Sequence, residues 1–118
     1  MKKWTVPPGM QAARDELCQM VATTMAYYDL PELSAVKMVL NDTKNRLLIQ
    51  RAMHPRKGRD VISPQTLANW FRASKLEPYS EGHVTDGLSE KQVELFNYLR
   101  LVMSPDMALE KTRYFLPA

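Results

Sequence analysis

Apolar residues recur every three or four positions along most of this chain, a spacing that places them on one side of an α-helix. The first such segment predicts a helix from about Pro8 to Tyr28. Pro31 marks its end, because proline disfavours a helical conformation in the residue before it. The expected core-facing residues of this helix are Ala13, Leu17, Met20, Val21 and Tyr28.

The next stretch predicts two shorter helices. The second helix covers residues 31–40, and its expected inward residues are Leu33, Val36 and Leu40. Asn41-Asp42 then offers a break and a new helix cap, which predicts a third helix over residues 43–53. Its expected buried residues are Leu47, Leu48 and Ala52. One continuous helix over residues 32–53 is the alternative.

Two Ser-Pro pairs mark further helix starts. Ser63-Pro64 and Ser104-Pro105 each place a serine where it can cap a helix and a proline in the first helical position. They predict one helix that ends near Ser74 and a final one that ends near Leu116.

The clearest local signature in the chain lies between these two pairs. Ser89 and Gln92 have the spacing of a capping box, and Leu88 and Val93 occupy the two positions of a hydrophobic staple. They predict a helix over about residues 89–103. Its expected inward residues are Val93, Phe96, Leu99 and Met103.

The fold class follows from these elements. No alternating run of β-branched residues appears apart from the short Val61-Ile62, and the chain has neither repeats nor low-complexity tracts. With 118 residues, the chain can bury one core. The sequence therefore predicts an all-α single domain of about five to six helices. A helix-turn-helix-like unit is expected in the centre, at residues 43–76, and a C-terminal helical pair at 88–117.

The positive charge of the chain is concentrated in its middle. Nine of the sixteen basic residues fall between Lys37 and Lys75, where only Asp42 and Asp60 oppose them, so this window carries a formal charge of +7. The net charge of the whole chain is only +3. A concentrated cationic stretch indicates a polyanionic partner, and duplex DNA is the one we expect.

The helix that begins at Ser63 carries side chains suited to reading DNA. At 100° per residue, Leu67, Trp70, Phe71 and Ser74 fall on its inward face. The opposite direction holds Gln65, Asn69 and Arg72. Glutamine and asparagine can pair with adenine through two hydrogen bonds, and arginine with guanine. These three residues are the expected base readers, and the expected phosphate contacts are Arg56, Lys57, Arg59, Ser63 and Lys75.

The segment Ser63-Pro64-Gln65-Thr66-Leu67-Ala68-Asn69-Trp70-Phe71-Arg72, followed by Pro78, resembles the recognition helix of helix-turn-helix regulators of the phage-repressor type. The resemblance implies a DNA-binding regulator whose second helix of the motif lies in the major groove. In that family a turn of about three residues joins the two helices. Here nine residues, His54 to Ile62, separate the third predicted helix from Ser63.

Other chemistry finds little support in the sequence. The single cysteine, Cys18, excludes an intramolecular disulfide, and its place in an apolar helical pattern predicts a buried thiol. His54 and His83 have no carboxylate or cysteine at metal-ligand spacing. We find no glycine-rich phosphate loop, nucleophile elbow or paired-carboxylate motif. We therefore expect neither an enzyme, a metal site nor a cofactor.

The expected function is that of a DNA-binding transcriptional regulator. The C-terminal pair is apolar around much of its circumference, because Leu95, Tyr98, Leu101 and Val102 add to the inward stripe. This indicates a homodimer, and the alternative is that the pair covers the N-terminal helices of its own chain. No secretory or spanning segment is apparent, so we expect a cytoplasmic protein without a membrane partner. The alternative function is a protein-binding adaptor or inhibitor that uses its basic surface against an acidic partner.

Overall fold

The computed structural model describes residues 5–53 and 61–117 of the chain. In this part of the chain all regular structure is helical, which confirms the all-α class. The helices are α1 Pro8–Tyr28, α2 Glu32–Asn41, α3 Arg46–Ala52, α4 Pro64–Ser74, α5 Glu90–Leu99 and α6 Pro105–Phe115, and a 3-10 turn at Thr43–Asn45 precedes α3. No described helix combines the length and apolar character that crossing a membrane requires.

The helices group into two compact units, Met1–Ser80 and Glu81–Ala118. The first unit contains α1 to α4, and the second contains α5 and α6. The C-terminal pair predicted at residues 88–117 therefore falls within the second unit.

Helix α1 is the centre of the first unit. It packs against α2, α3 and α4, while α2 also packs against α4. Leu17 and Val21 of α1 are completely buried, as their place in the hydrophobic stripe predicted. The other helices and the segment before α4 contribute apolar residues around them, which include Val36, Ile49, Ala52, Ile62, Leu67 and Phe71. This core anchors α4, the helix that carries the expected base-reading residues.

Local chemistry sets the helix ends in the first unit. Asp29 ends α1 in the left-handed conformation at φ 54°, and its amide donates to the Met25 carbonyl. The carboxylate of Asp42 accepts from the amide of Lys44, so the chain restarts in a 3-10 turn after α2. This break excludes the alternative of one helix over residues 32–53.

Two residues expected inward lie at the surface instead. Leu33 is 47% exposed and Leu47 is 67% exposed, whereas Ala35, Val39 and Ile49 are buried. In α2 the buried arc is the one that lies between α1 and α4. In α3 the side that packs against α1 is the one that holds Ile49 and Ala52, and Leu47 lies off that side.

The second unit is a pair of helices held by caps and a small core. Phe96 of α5 is fully buried, as are Ala108 and Thr112 of α6. Ser89 and Gln92 form both hydrogen bonds of the predicted capping box. The Gln92 amide nitrogen also donates to the Leu116 carbonyl at 2.6 Å, which connects the start of α5 with the end of α6.

Helix α5 is shorter than predicted. It ends at Leu99, and residues 100–103 form turns, although the expected helix extended to 103. Ser104 is extended, with φ −64° and ψ 153°, because its side chain must accept from the Met107 amide to cap α6. Between the two helices, the amides of Leu101 and Val102 donate to the carbonyls three residues back, Tyr98 and Leu99, so a tighter turn replaces the last part of the expected helix.

Candidate functional site

Helix α4 is built as the sequence predicted. The Ser63 hydroxyl accepts from the Thr66 amide at 3.2 Å, and Pro64 occupies the first turn. The helix ends at Lys75, which adopts the left-handed conformation at φ 58°. Eleven residues give α4 a length of about 16 Å at about 1.5 Å per residue.

The inner face of α4 anchors the helix to the core. Leu67, Ala68 and Phe71 are buried. Trp70 is only half-buried, although its side chain packs against the same core. Ser74 was expected on the inward face. The residue is exposed overall, while its hydroxyl donates to the Phe71 carbonyl and lies in hydrogen-bond contact with the Cys18 thiol of α1. The buried arc is therefore narrower than predicted, because α1 and α2 cover only the side centred on Leu67, Ala68 and Phe71.

The outer face of α4 consists of Gln65, Asn69 and Arg72, and all three side chains are exposed. Their spacing of four and then three residues places them on one side of the helix, as expected. The Gln65 amide nitrogen donates to the Asn69 side-chain oxygen at 2.9 Å. Gln65 and Asn69, two of the three expected base readers, therefore restrain the orientation of each other's side chain.

The third candidate reader, Arg72, is held by a residue from another helix. Its Nε lies 3.2 Å and 3.0 Å from the two carboxylate oxygens of Glu32, and its Nη2 lies 2.8 Å from one of them. This hydrogen bonding, followed by the direct charge attraction to Glu32, raises the pKa of Arg72 above its ordinary value. Forty positions separate the two residues, so no local pattern in the sequence signals the contact.

The expected phosphate contacts are only partly within the described structure. Arg56, Lys57 and Arg59 lie outside the described residues. Ser63 and Lys75 lie at opposite ends of α4, because one caps its start and the other ends it. The Ser63 hydroxyl is engaged by Thr66, whereas the Lys75 side chain is exposed.

One further cation, Arg46, lies close to the start of α4. Arg46 lines a cavity of about 170 Å³ together with the end of α2 and with Val61 and Ile62, the residues just before the Ser63 cap. Lys44 precedes Arg46 in the 3-10 turn, and both side chains are exposed. The charge pattern included both residues in the basic window, but only the packing places Arg46 beside the residues that lead into α4.

Helix α4 contacts α1 and α2 far more than it contacts α3. Helix α3 in turn packs on α1. The two helices that the sequence assigned to a helix-turn-helix-like unit thus share α1 as a support rather than each other. Nine residues separate the predicted third helix from Ser63, against a turn of about three residues in the helix-turn-helix motif.

The described residues offer no group of three or more histidine, cysteine or acidic side chains that could hold a metal ion. Cys18 is buried in the first unit. Burial raises the pKa of its thiol, the nearby Asp15 raises it further, and a hydrogen bond with Ser74 opposes both. The arrangement therefore favours the neutral thiol, which is a poor nucleophile.

Comparisons of the chain with protein-family models, with curated proteins and with solved structures found no match. The functional argument therefore depends on the residues of α4 and on the charge around it.

Proposed function

We propose that this protein is a DNA-binding transcriptional regulator that places α4 in the major groove of duplex DNA. One observation carries the proposal: α4 is anchored through Leu67 and Phe71, while its outer face presents two amides and a guanidinium to solvent. These are the side chains that pair with base edges through two hydrogen bonds. An α-helix with its side chains is about 10–12 Å across, which fits a groove about 12 Å wide.

The internal hydrogen bond of the outer face suits this role. With its nitrogen bound to Asn69, Gln65 keeps its side-chain oxygen as an acceptor, and Asn69 keeps its side-chain nitrogen as a donor. Adenine offers a donor at N6 and an acceptor at N7 in the major groove. The pair therefore presents the complementary groups in a restrained geometry.

Phosphate contacts would come from the cations around α4. We retain Arg56, Lys57, Arg59, Ser63 and Lys75 in this role. We add Arg46 from the packing of the first unit, and Lys44 because it stands two positions before Arg46 in the sequence. Such contacts fix the orientation of a protein on the duplex and contribute most of its salt dependence, without reading sequence.

A second copy of the chain would extend the interface. Dimeric helix-turn-helix proteins place two recognition helices about one helical turn of DNA apart and so bind palindromic sites. The second unit exposes several large apolar side chains, among them Tyr98, Leu101 and Val102. We propose residues 89–116 as the homodimer contact.

The alternative function is a protein-binding adaptor or inhibitor whose basic surface binds an acidic partner. It would use the same charge but would need no base-reading side chains. Sequence preference among duplexes therefore distinguishes the two functions, whereas salt dependence is common to both.

The test is selection from a random duplex library at fixed salt, with the bound fraction sequenced for the wild type and for Asn69→Ala. We expect an enriched site, and we expect the variant to lose roughly 5- to 100-fold of discrimination at one or two base positions, as the loss of a bidentate base contact implies. Gln19→Ala, an exposed glutamine of α1, is the matched control and should keep the wild-type preference. Enrichment of no sequence by the wild type would contradict DNA reading and favour the adaptor.

A further inference from the structure

We infer that Glu32 is a positioning residue for Arg72, which it orients so that the free edge of the guanidinium can pair with a guanine. This inference rests on the proposed function, because it names the base that one outer-face residue of α4 would read. Its basis is the contact between α2 and α4 in which the Glu32 carboxylate accepts from both Nε and Nη2 of Arg72.

The atoms used by Glu32 leave a complete donor edge on Arg72. The carboxylate occupies Nε and one side of Nη2. A guanidinium is planar and carries five N–H groups in a fixed fork. The remaining edge, formed by Nη1 and the other N–H of Nη2, therefore points away from the carboxylate. Guanine presents O6 and N7 as two neighbouring acceptors, which match such an edge.

Glu32 is the better-fixed member of the pair. Its side chain is 23% exposed, against 64% for Arg72. It occupies the first position of α2, where the free amides of a helix start favour a carboxylate. Helix α2 itself packs against α4. The carboxylate therefore acts as a fixed support, and the long arginine side chain loses much of its conformational freedom before any ligand arrives.

Removal of the Glu32 carboxylate should affect the base preference of Arg72 and the non-specific affinity for DNA differently. A carboxylate beside a DNA-binding face repels phosphates, so its removal should leave non-specific affinity unchanged or raise it. The same removal frees Arg72 and should weaken its choice of base. A residue that merely stabilised the fold would instead lower both properties together. This difference separates the two roles.

The experiment compares the wild type with Glu32→Gln, Arg72→Ala and the double variant, and Glu16→Gln of α1 is the exposed control. Each protein undergoes the same random-duplex selection, and its affinity for the selected site and for scrambled DNA is measured at one salt concentration. We expect Glu32→Gln and Arg72→Ala to lose preference at the same guanine, each by about 10-fold, within the range of one base contact. The double variant should lose no more than Arg72→Ala alone.

Glu32→Asp supplies a second variant that keeps the charge and shortens the side chain by one methylene. Its guanine preference should lie between those of the wild type and Glu32→Gln, with circular dichroism melts as the measure of folding. An unchanged guanine preference in Glu32→Gln, alongside a lost one in Arg72→Ala, would overturn the positioning role alone. An unchanged preference in Arg72→Ala would overturn it too, and a wild type without any sequence preference would overturn the proposed function as well.

Discussion

The guanidinium of Arg14 lies over the indole ring of Trp70, 4.3 Å from the ring centroid. Its Nε also donates to the Ala52 carbonyl at 2.9 Å. One side chain of α1 thus contacts the last residue of α3 and the middle of α4. Partial burial lowers the pKa of Arg14 below its ordinary value. The contact explains how a half-buried tryptophan supports α4, although the sequence suggested a fully inward indole.

Arg14→Ala should destabilise the first unit. The change removes a cation–π contact and a charged hydrogen bond and leaves the Ala52 carbonyl without that donor, so we expect a loss of about 1–3 kcal/mol in the free energy of unfolding. Urea unfolding followed by circular dichroism measures it. Arg51→Ala, an exposed arginine of α3, should change stability by less than about 0.5 kcal/mol. Equal stability of the two variants would show that the Arg14 contacts contribute nothing.

Gln92→Ala should destabilise the second unit, because Gln92 connects both ends of the helical pair. Its side chain is buried, accepts from the Ser89 amide at 2.8 Å and donates to the Leu116 carbonyl at 2.6 Å. Loss of these bonds should lower the free energy of unfolding by about 1–3 kcal/mol. The neighbouring exposed Lys91→Ala is the control for thermal melts. A melting curve for Gln92→Ala that matches the control would contradict this assignment.

The proposed homodimer predicts a sedimentation mass of twice one chain at micromolar concentration. Leu101 is 80% exposed and Val102 is 74% exposed, so both can accept a charge with little effect on the fold of one chain. A Leu101→Glu, Val102→Glu double variant should therefore sediment as a monomer. Thr23→Glu, at an exposed position of α1, should remain dimeric. A wild-type monomer that still binds DNA would refute the dimer.

Stability should decrease at alkaline pH through Cys18. Burial and Asp15 raise the pKa of this thiol in the folded protein, whereas in the unfolded chain it ionises near an ordinary value of about 8.5. Above that pH the unfolded state gains the thiolate first, so the free energy of unfolding falls as pH rises through the raised pKa. Urea midpoints of the wild type and Cys18→Ala measure the difference. The difference in urea midpoint between the wild type and Cys18→Ala should change between pH 7 and pH 10. A constant difference would contradict a raised pKa of the Cys18 thiol.

The basic segment before α4 predicts a strong salt dependence of DNA binding. Each neutralised phosphate contributes a slope of about −0.9 to the dependence of log affinity on log salt. Replacement of Arg56, Lys57 and Arg59 by alanine should therefore flatten the slope by up to about 3 units and weaken all duplexes alike. The control replaces Lys37 and Arg51, exposed cations of α2 and α3 that belong neither to the proposed phosphate contacts nor to the proposed dimer contact. If the slope stays at its wild-type value, these three residues do not contact phosphates.

Some features of the fold could be predicted because they depend on neighbours within four residues. The limits of α1, the Ser63 cap of α4 and the capping box of Ser89 and Gln92 all agree with the sequence. Caps, prolines and left-handed helix ends act through local hydrogen bonds and backbone sterics. The outward direction of Gln65, Asn69 and Arg72 follows in the same way from the period of a helix.

Other features depend on which surface covers which residue. The apolar pattern marked Leu33 and Leu47 as core candidates, but only the packing of α1 and α4 shows that neither helix covers them. The Glu32–Arg72 pair, the stacking of Arg14 on Trp70 and the position of Arg46 beside Val61 and Ile62 likewise join segments far apart in the sequence. Periodicity gives the direction of a side chain relative to its own helix axis. The neighbour it meets is decided by how the helices pack, and packing free energy is shared over many residues, none of which encodes it alone.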